Sequence, residues 1–141
     1  MRSDKKFNVL LVDNSRSMLI NLKEIFKNKF PCEEIVPCRD GAEAWKILQK
    51  TKFDIILADR GVSHMTGDEL LCHVRKNEKT KNIPFLMISQ KKDRESVMRA
   101  ISSGATGYMI KPFCENDIVK KIENILRVKA RSFDSPDSGS G

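Results

Sequence analysis

The chain has 141 residues, 40% of them hydrophobic, which suits one domain with an ordinary core and excludes a disordered chain. No apolar run approaches the roughly 20 residues of a membrane span, and the basic start meets an acid after a few apolar residues, which reads as a buried strand rather than a signal peptide. The 26 Lys and Arg against 19 Asp and Glu give a net charge of +7, which favours acidic partners. These bases fall on nearly every predicted helix with no aromatic residues interleaved, so direct nucleic-acid binding is not expected. The expected compartment is the cytoplasm, with no membrane partner.

Val9 to Val12 is an apolar run that ends in Asp13, a buried strand. Asn14 and Ser15 are placed to cap the helix marked by Met18, Leu19, Leu22, Ile25 and Phe26, which Pro31 closes. Ile35-Val36 is a short second strand, and Pro37 assigns it to a sheet edge. Asp40-Gly41 makes a turn into a helix with Ala42, Trp45 and Leu48 as its apolar stripe. Phe53 to Ala58 is the third strand and runs into Asp59.

Thr66 is a cap for the third helix, which carries Leu70, Leu71 and Val74. Asp68 and Glu69 suit its positive N-terminal end. Ile83 to Ile88 is the fourth strand, followed by Ser89. Val97, Ala100 and Ile101 mark a helix ending near Gly104. Thr106 to Ile110 is the fifth strand, stopped by Lys111-Pro112, and Ile118, Ile122, Ile125 and Leu126 line the last helix. Residues 1–131 are expected to form the domain. The stretch 132–141 is Ser, Asp and Gly rich, a flexible end or a linker.

Five βα units in sequence demand a parallel sheet with helices on both faces. With the second strand at an edge, right-handed crossovers give the order 2-1-3-4-5: a doubly wound, five-stranded, flavodoxin-like α/β fold. Its switch point lies between strands one and three, which end in Asp13 and Asp59. Ligands of such sheets bind at the strands' C-terminal edge.

The chemistry gathers there. Two acids on adjacent strand ends make a hard oxygen site for magnesium. A carboxylate beside that ion is a nucleophile toward a phosphoryl group and would form an acyl phosphate. The transferred group needs cations and donors around its oxygens; Lys111 supplies a charge and Ser89 a hydroxyl. Asp13 is also open to reading as an N-cap, Ser89 as a turn hydroxyl and Tyr108 as an ordinary strand residue. His64 and His73 are assigned no role, and Trp45 reads as core. Cys32, Cys38, Cys72 and Cys114 show no CxxC pair and are expected to be reduced, partly buried thiols.

From about Asn8 to Arg127 the chain resembles the response-regulator receiver domains of two-component signalling, of the chemotaxis-regulator type. The matching segments are VLLVDNS at Val9 to Ser15, CRDGAEAWKIL at Cys38 to Leu48, FDIILADRGVSHMTG at Phe53 to Gly67, MIS at Met87 to Ser89 and SGATGYMIKPF at Ser103 to Phe113. The resemblance implies Asp59 as phosphoacceptor, served by a sensor histidine kinase or phosphotransfer protein. Asp13, Asn14, Asp59 and the backbone carbonyl of Gly61 would hold Mg2+. Ser89 and Lys111 would stabilise the phosphoryl group, and Ser89 and Tyr108 would act as the switch. Gly67 and Pro112 would be structural. The surface of the fourth helix, fifth strand and fifth helix would change for a downstream protein or a separate output domain, as a population shift between two packings. Such a domain is no enzyme beyond its own phosphorylation and dephosphorylation.

Three departures bear on that expectation. Asn14 stands where the family carries a second acid, which implies weaker magnesium binding; two unit charges about 5 Å apart interact by roughly 3 kcal/mol at an effective dielectric of about 20. Val62-Ser63 replaces a common Met-Pro pair, which implies a looser loop. Gln90 replaces a small residue beside the site. Asn14 also favours the alternative of a pseudo-receiver, a phosphorylation-independent interaction module. An aspartyl phosphatase would want DxD where Asp13-Asn14-Ser15 stands, and flavodoxin-type and nucleotide-hydrolase phosphate loops are missing.

Overall fold

The computed structural model describes residues 5–131, so the expected tail at 132–141 lies outside the described residues. Strands β1 (Phe7–Val12), β2 (Cys32–Cys38), β3 (Ile55–Asp59), β4 (Phe85–Ser89) and β5 (Gly107–Ile110) alternate with helices α1 (Arg16–Lys29), α2 (Gly41–Leu48), α3 (Gly67–Lys76), α4 (Arg94–Ser102) and α5 (Glu115–Leu126). The strands form one parallel sheet in the order β2-β1-β3-β4-β5, as the alternation of elements predicts.

The apolar runs are continuous in sequence because both sheet faces are covered, yet their side chains divide with a period of two. Leu10, Val12, Ile56, Ala58, Phe85 and Met87 pack under α2, α3 and α4. Val9, Leu11, Ile55, Leu57, Leu86 and Ile88 pack under α1 and α5, against residues such as Leu22, Phe26, Ile118 and Ile122. Burying a side chain of this size contributes about 1.5–3 kcal/mol, so these two layers supply most of the gross stabilisation.

Helix starts follow their caps. The side chains of Ser15, Asp40, Thr66 and Asp93 accept from Met18, Glu43, Glu69 and Ser96 backbone N–H groups, and Thr66 with Glu69 closes a reciprocal capping box. Cys114 precedes α5 without a side-chain cap.

Strand β2 is longer than the expected Ile35-Val36. Pairing with β1 recruits Cys32 to Cys38, and Pro37 sits opposite Leu11. The edge position tolerates this proline because its missing N–H faces away from the ladder. Strand β3 begins later than expected, at Ile55, and includes Asp59 itself. Thr106 stays outside β5, but its hydroxyl accepts from Phe85 N at 2.9 Å and its own N–H donates to Phe85 O.

Candidate functional site at the strand ends

The register sets the site. Val12 pairs with Ala58, so Asp13 and Asp59 leave β1 and β3 at the same level. Ser89 pairs with Ile110, so Ser89 ends β4 one residue before Lys111 leaves β5. Lys111 N–H donates to Ser89 O at 2.8 Å, which fixes the lysine's direction over the edge. The Lys111–Pro112 peptide bond is cis.

The Lys111 ammonium lies between the two acids, 3.0 Å from Asp13 Oδ2 and 2.9 Å from Asp59 Oδ1. The second oxygens are also engaged: Asp13 Oδ1 accepts from Ser15 N at 2.9 Å and Asp59 Oδ2 from Gly61 N at 3.0 Å. Asp13 is only 1% exposed, while the Asp59 side chain keeps 15%, so Asp59 is the acid an incoming group can meet. Burial alone would depress Lys111, but its hydrogen bonds and the charges of Asp59 and Asp13 outweigh that and hold its pKa above the ordinary lysine value. Two carboxylates against one ammonium leave the buried centre with a net charge of −1.

A cleft of about 520 Å³ opens over Asp59, lined also by Asn14, Gly61, Ser89, Gln90 and Lys111. Ser89 is buried, and its hydroxyl accepts from Lys91 N at 3.0 Å, which leaves its own O–H free to donate. Asn14 is exposed at the mouth, and its backbone carbonyl accepts from Arg39 Nη2 at 3.1 Å. Gly67 is where the chain turns back on itself: a Cβ there would lie 2.7 Å from Arg60 Cα and 2.8 Å from Asp59 O. Its N–H donates to Arg60 O at 2.9 Å. The loop that lacks the Met-Pro pair is nonetheless tied down. Val62 is 2% exposed, and Ser63 O accepts from Gly41 N at 3.1 Å.

The groups that could serve a cation at this cleft are oxygen donors: the Asp13 and Asp59 carboxylates, with Asn14 and Gly61 among the lining residues. They fit a hard ion that keeps several waters. Among the described residues no group of three or more His, Cys, Asp or Glu is arranged to hold a metal, in keeping with an amide at position 14.

Sequence reasoning missed Arg60. It follows Asp59 in what reads as a polar loop, yet it is 8% exposed. Its Nε donates to Asp68 Oδ2 at 2.8 Å, and its Nη1 donates to Ser96 O and Tyr108 Oη, each at 3.0 Å. Its hydrogen bond to Asp68 raises its pKa against the opposing effect of burial. Its Nη2 is buried and has no hydrogen-bond partner among the described residues, an arrangement that costs about 1–3 kcal/mol and persists only because the other contacts outweigh it. Tyr108 is 8% exposed, packed into the α2–α4 layer, and its hydroxyl donates to Lys91 O at 2.7 Å. Nothing in hydrophobic periodicity distinguishes an arginine buried beyond a strand end from a solvated one.

His73 stacks on Trp45 with ring centroids 5.3 Å apart, and His64 lies 3.4 Å from Asp40 on the surface. All four cysteines are free, with Cys38 buried, Cys32 half-buried and Cys72 and Cys114 exposed. No helix among the described residues is long and apolar enough to cross a membrane.

The chain has known relatives. Chemotaxis protein CheY-3 of Vibrio cholerae is 30% identical over 123 residues, covering 87% of this chain and 94% of that protein. The solved structure of chemotaxis response regulator CheY4 of Vibrio cholerae superposes with a TM-score of 0.80 at 30% identity, over 86% of this chain and all of that one. The receiver domain of sensor histidine kinase PA1611 from Pseudomonas aeruginosa, described with a magnesium ion coordinated in its active-site cleft, shares the fold at a TM-score of 0.77 and 15% identity, over 87% and 99% of the two chains. A family model for the response regulator receiver domain matches residues 9–123. The chain therefore belongs to the response regulator receiver domains of two-component signalling and is of the chemotaxis-regulator type.

Proposed function

We infer that the chain is a phosphorelay switch whose phosphoacceptor is Asp59. The observation that carries this reading is the Lys111 ammonium held between Asp13 and Asp59 at 3.0 and 2.9 Å, beneath a cleft that exposes Asp59. In the transfer, an Asp59 carboxylate oxygen forms a bond to phosphorus while the phosphorus–nitrogen bond of a phosphohistidine breaks. The electron pair stays on the imidazole nitrogen. Lys111 offsets the charge gathering on the phosphoryl oxygens, and the Ser89 O–H donates to one of them. Asp13, Asn14, Asp59 and the Gly61 carbonyl would hold Mg2+, which when bound supplies further positive charge to the same oxygens. The donor is a sensor histidine kinase or phosphotransfer protein, and the surface of α4, β5 and α5 is offered to a downstream protein or output domain.

The test is intact mass after incubation with acetyl phosphate and magnesium, run beside Asp59→Asn. One added phosphoryl group in the parent alone is the expected result. Addition in both proteins would assign the acceptor elsewhere. No addition at saturating magnesium would favour a pseudo-receiver, a phosphorylation-independent interaction module, which Asn14 in place of an acid supports.

A further inference from the structure

Tyr108 lies inward, and one of the two hydrogen bonds that hold its hydroxyl comes from the residue beside Asp59. We propose that Arg60 is a positioning residue that keeps Tyr108 and the loop carrying Lys91 in this inward arrangement, so that the edge of β5 is held in one position. The consequence for signalling rests on the phosphorelay reading above; the positioning itself does not.

One side chain joins four elements. From the end of β3, the guanidinium reaches Asp68 in α3, the Ser96 carbonyl in α4 and the Tyr108 hydroxyl in β5. Tyr108 passes the connection to the Lys91 carbonyl at 2.7 Å. The Lys91 N–H returns it to Ser89 at 3.0 Å, inside the acceptor cleft. The guanidinium carbon also lies 5.7 Å from the centre of the Tyr108 ring. If the ring swung outward, Nη1 would lose one of its two acceptors in a place where Nη2 already has none. A buried cation short of acceptors opposes that motion. The competing account is that apolar packing of the ring alone holds Tyr108 inward, and an apolar replacement of Arg60 separates the two.

Tyr108 is the only tyrosine in the chain, so tyrosine labelled with carbon-13 gives one set of ring signals. The experiment is run without phosphodonor or magnesium. It reads the broadening of those signals by a neutral, soluble paramagnetic agent in the parent, Arg60→Met, Arg60→Lys and Asp68→Asn. In the parent the ring is shielded. In Arg60→Met the exposed population rises about tenfold or more, the scale set by losing a buried hydrogen bond from a charged donor. Asp68→Asn, which loosens Arg60 from its partly exposed partner, moves the signals the same way by less. Arg60→Lys, which keeps the charge but cannot fork between two acceptors, falls between parent and Arg60→Met. Unchanged broadening in a folded Arg60→Met protein would overturn the proposal and assign Tyr108 to ring packing alone. If Arg60→Met does not fold, unchanged broadening in Arg60→Lys and Asp68→Asn overturns it equally. Acetyl phosphate labelling of the same proteins is scored separately, so a failed acceptor and a failed positioning residue give different results.

Discussion

Replacing Lys111 by Met removes the ammonium but keeps a flexible apolar stem of similar length. Each ion pair, at 2.9 and 3.0 Å, has a gross Coulomb attraction of roughly 5–6 kcal/mol at an effective dielectric of about 20. Most of that is offset by desolvation of a lysine side chain that is only 16% exposed. Breaking a buried pair by removing one partner costs about 3–5 kcal/mol, because the remaining charges stay buried without compensation. Here two carboxylates are left facing one another, so we expect a loss of about 3–5 kcal/mol, a large share of the roughly 5–15 kcal/mol that holds a domain together. The assay is urea unfolding followed by circular dichroism, first in chelator. Magnesium is then added: it should stabilise Lys111→Met more than the parent, since no ammonium competes for the carboxylates. Saturation about a hundredfold above Kd would return about 2.7 kcal/mol. The pH dependence has a definite sign. Lys111 has a folded pKa above its unfolded one, so its contribution is fully present below the ordinary lysine value. It is lost only as pH rises through the raised folded value. The gap between parent and variant should therefore be flat through neutral pH and close in strong alkali. Equal stability of the two proteins in chelator at neutral pH would refute the compensating role of Lys111.

Asn14→Asp should tighten magnesium binding by about tenfold or more and lower metal-free stability, since it adds a third negative charge to a centre that already carries −1; calorimetric titration that finds equal affinity would count against this. Gly67→Ala should cost about 1–3 kcal/mol in urea unfolding, because its Cβ would lie under 3 Å from backbone atoms of both Asp59 and Arg60. Cys72 and Cys114 should react rapidly with a thiol reagent in the native protein, Cys32 more slowly, and Cys38 only on unfolding. Burial pushes both slow thiols up to about 11. Their raised folded pKa leaves stability intact below about 9 and lowers it from there toward 11, a loss that Cys38→Ala should lessen in unfolding measured across that range.

How far the sequence carries is clearest at the strand ends. A buried parallel strand announces itself as an apolar run, and the first polar residue after it falls at the ligand-binding edge. Asp13, Asp59, Ser89 and Lys111 were legible for that reason, and the sheet order brings Asp13, Asp59 and Lys111 onto one ammonium contact. The caps Ser15 and Thr66 were legible too, because they act through bonds three residues away, whereas Asp40 read only as a turn residue and caps α2 in the same way. The length of β2 was not, since Cys32 to Cys38 are held in a strand by pairing with β1 rather than by their own pattern. Arg60 was not, because its burial depends on α3, α4 and β5 converging over one position, and only the folded chain records that convergence.

The sheet also works as a partition. Tyr108 packs in the layer beneath α2, α3 and α4, whereas Phe26, Leu22, Ile118 and Ile122 fill the opposite layer beneath α1 and α5. The groups that connect Arg60 to Ser89 belong with the first layer or the strand ends. Substitutions in the second layer are therefore expected to change the melting temperature with little effect on the contacts around Tyr108. Stability and the surroundings of Tyr108 are thus set from separate sides of one sheet.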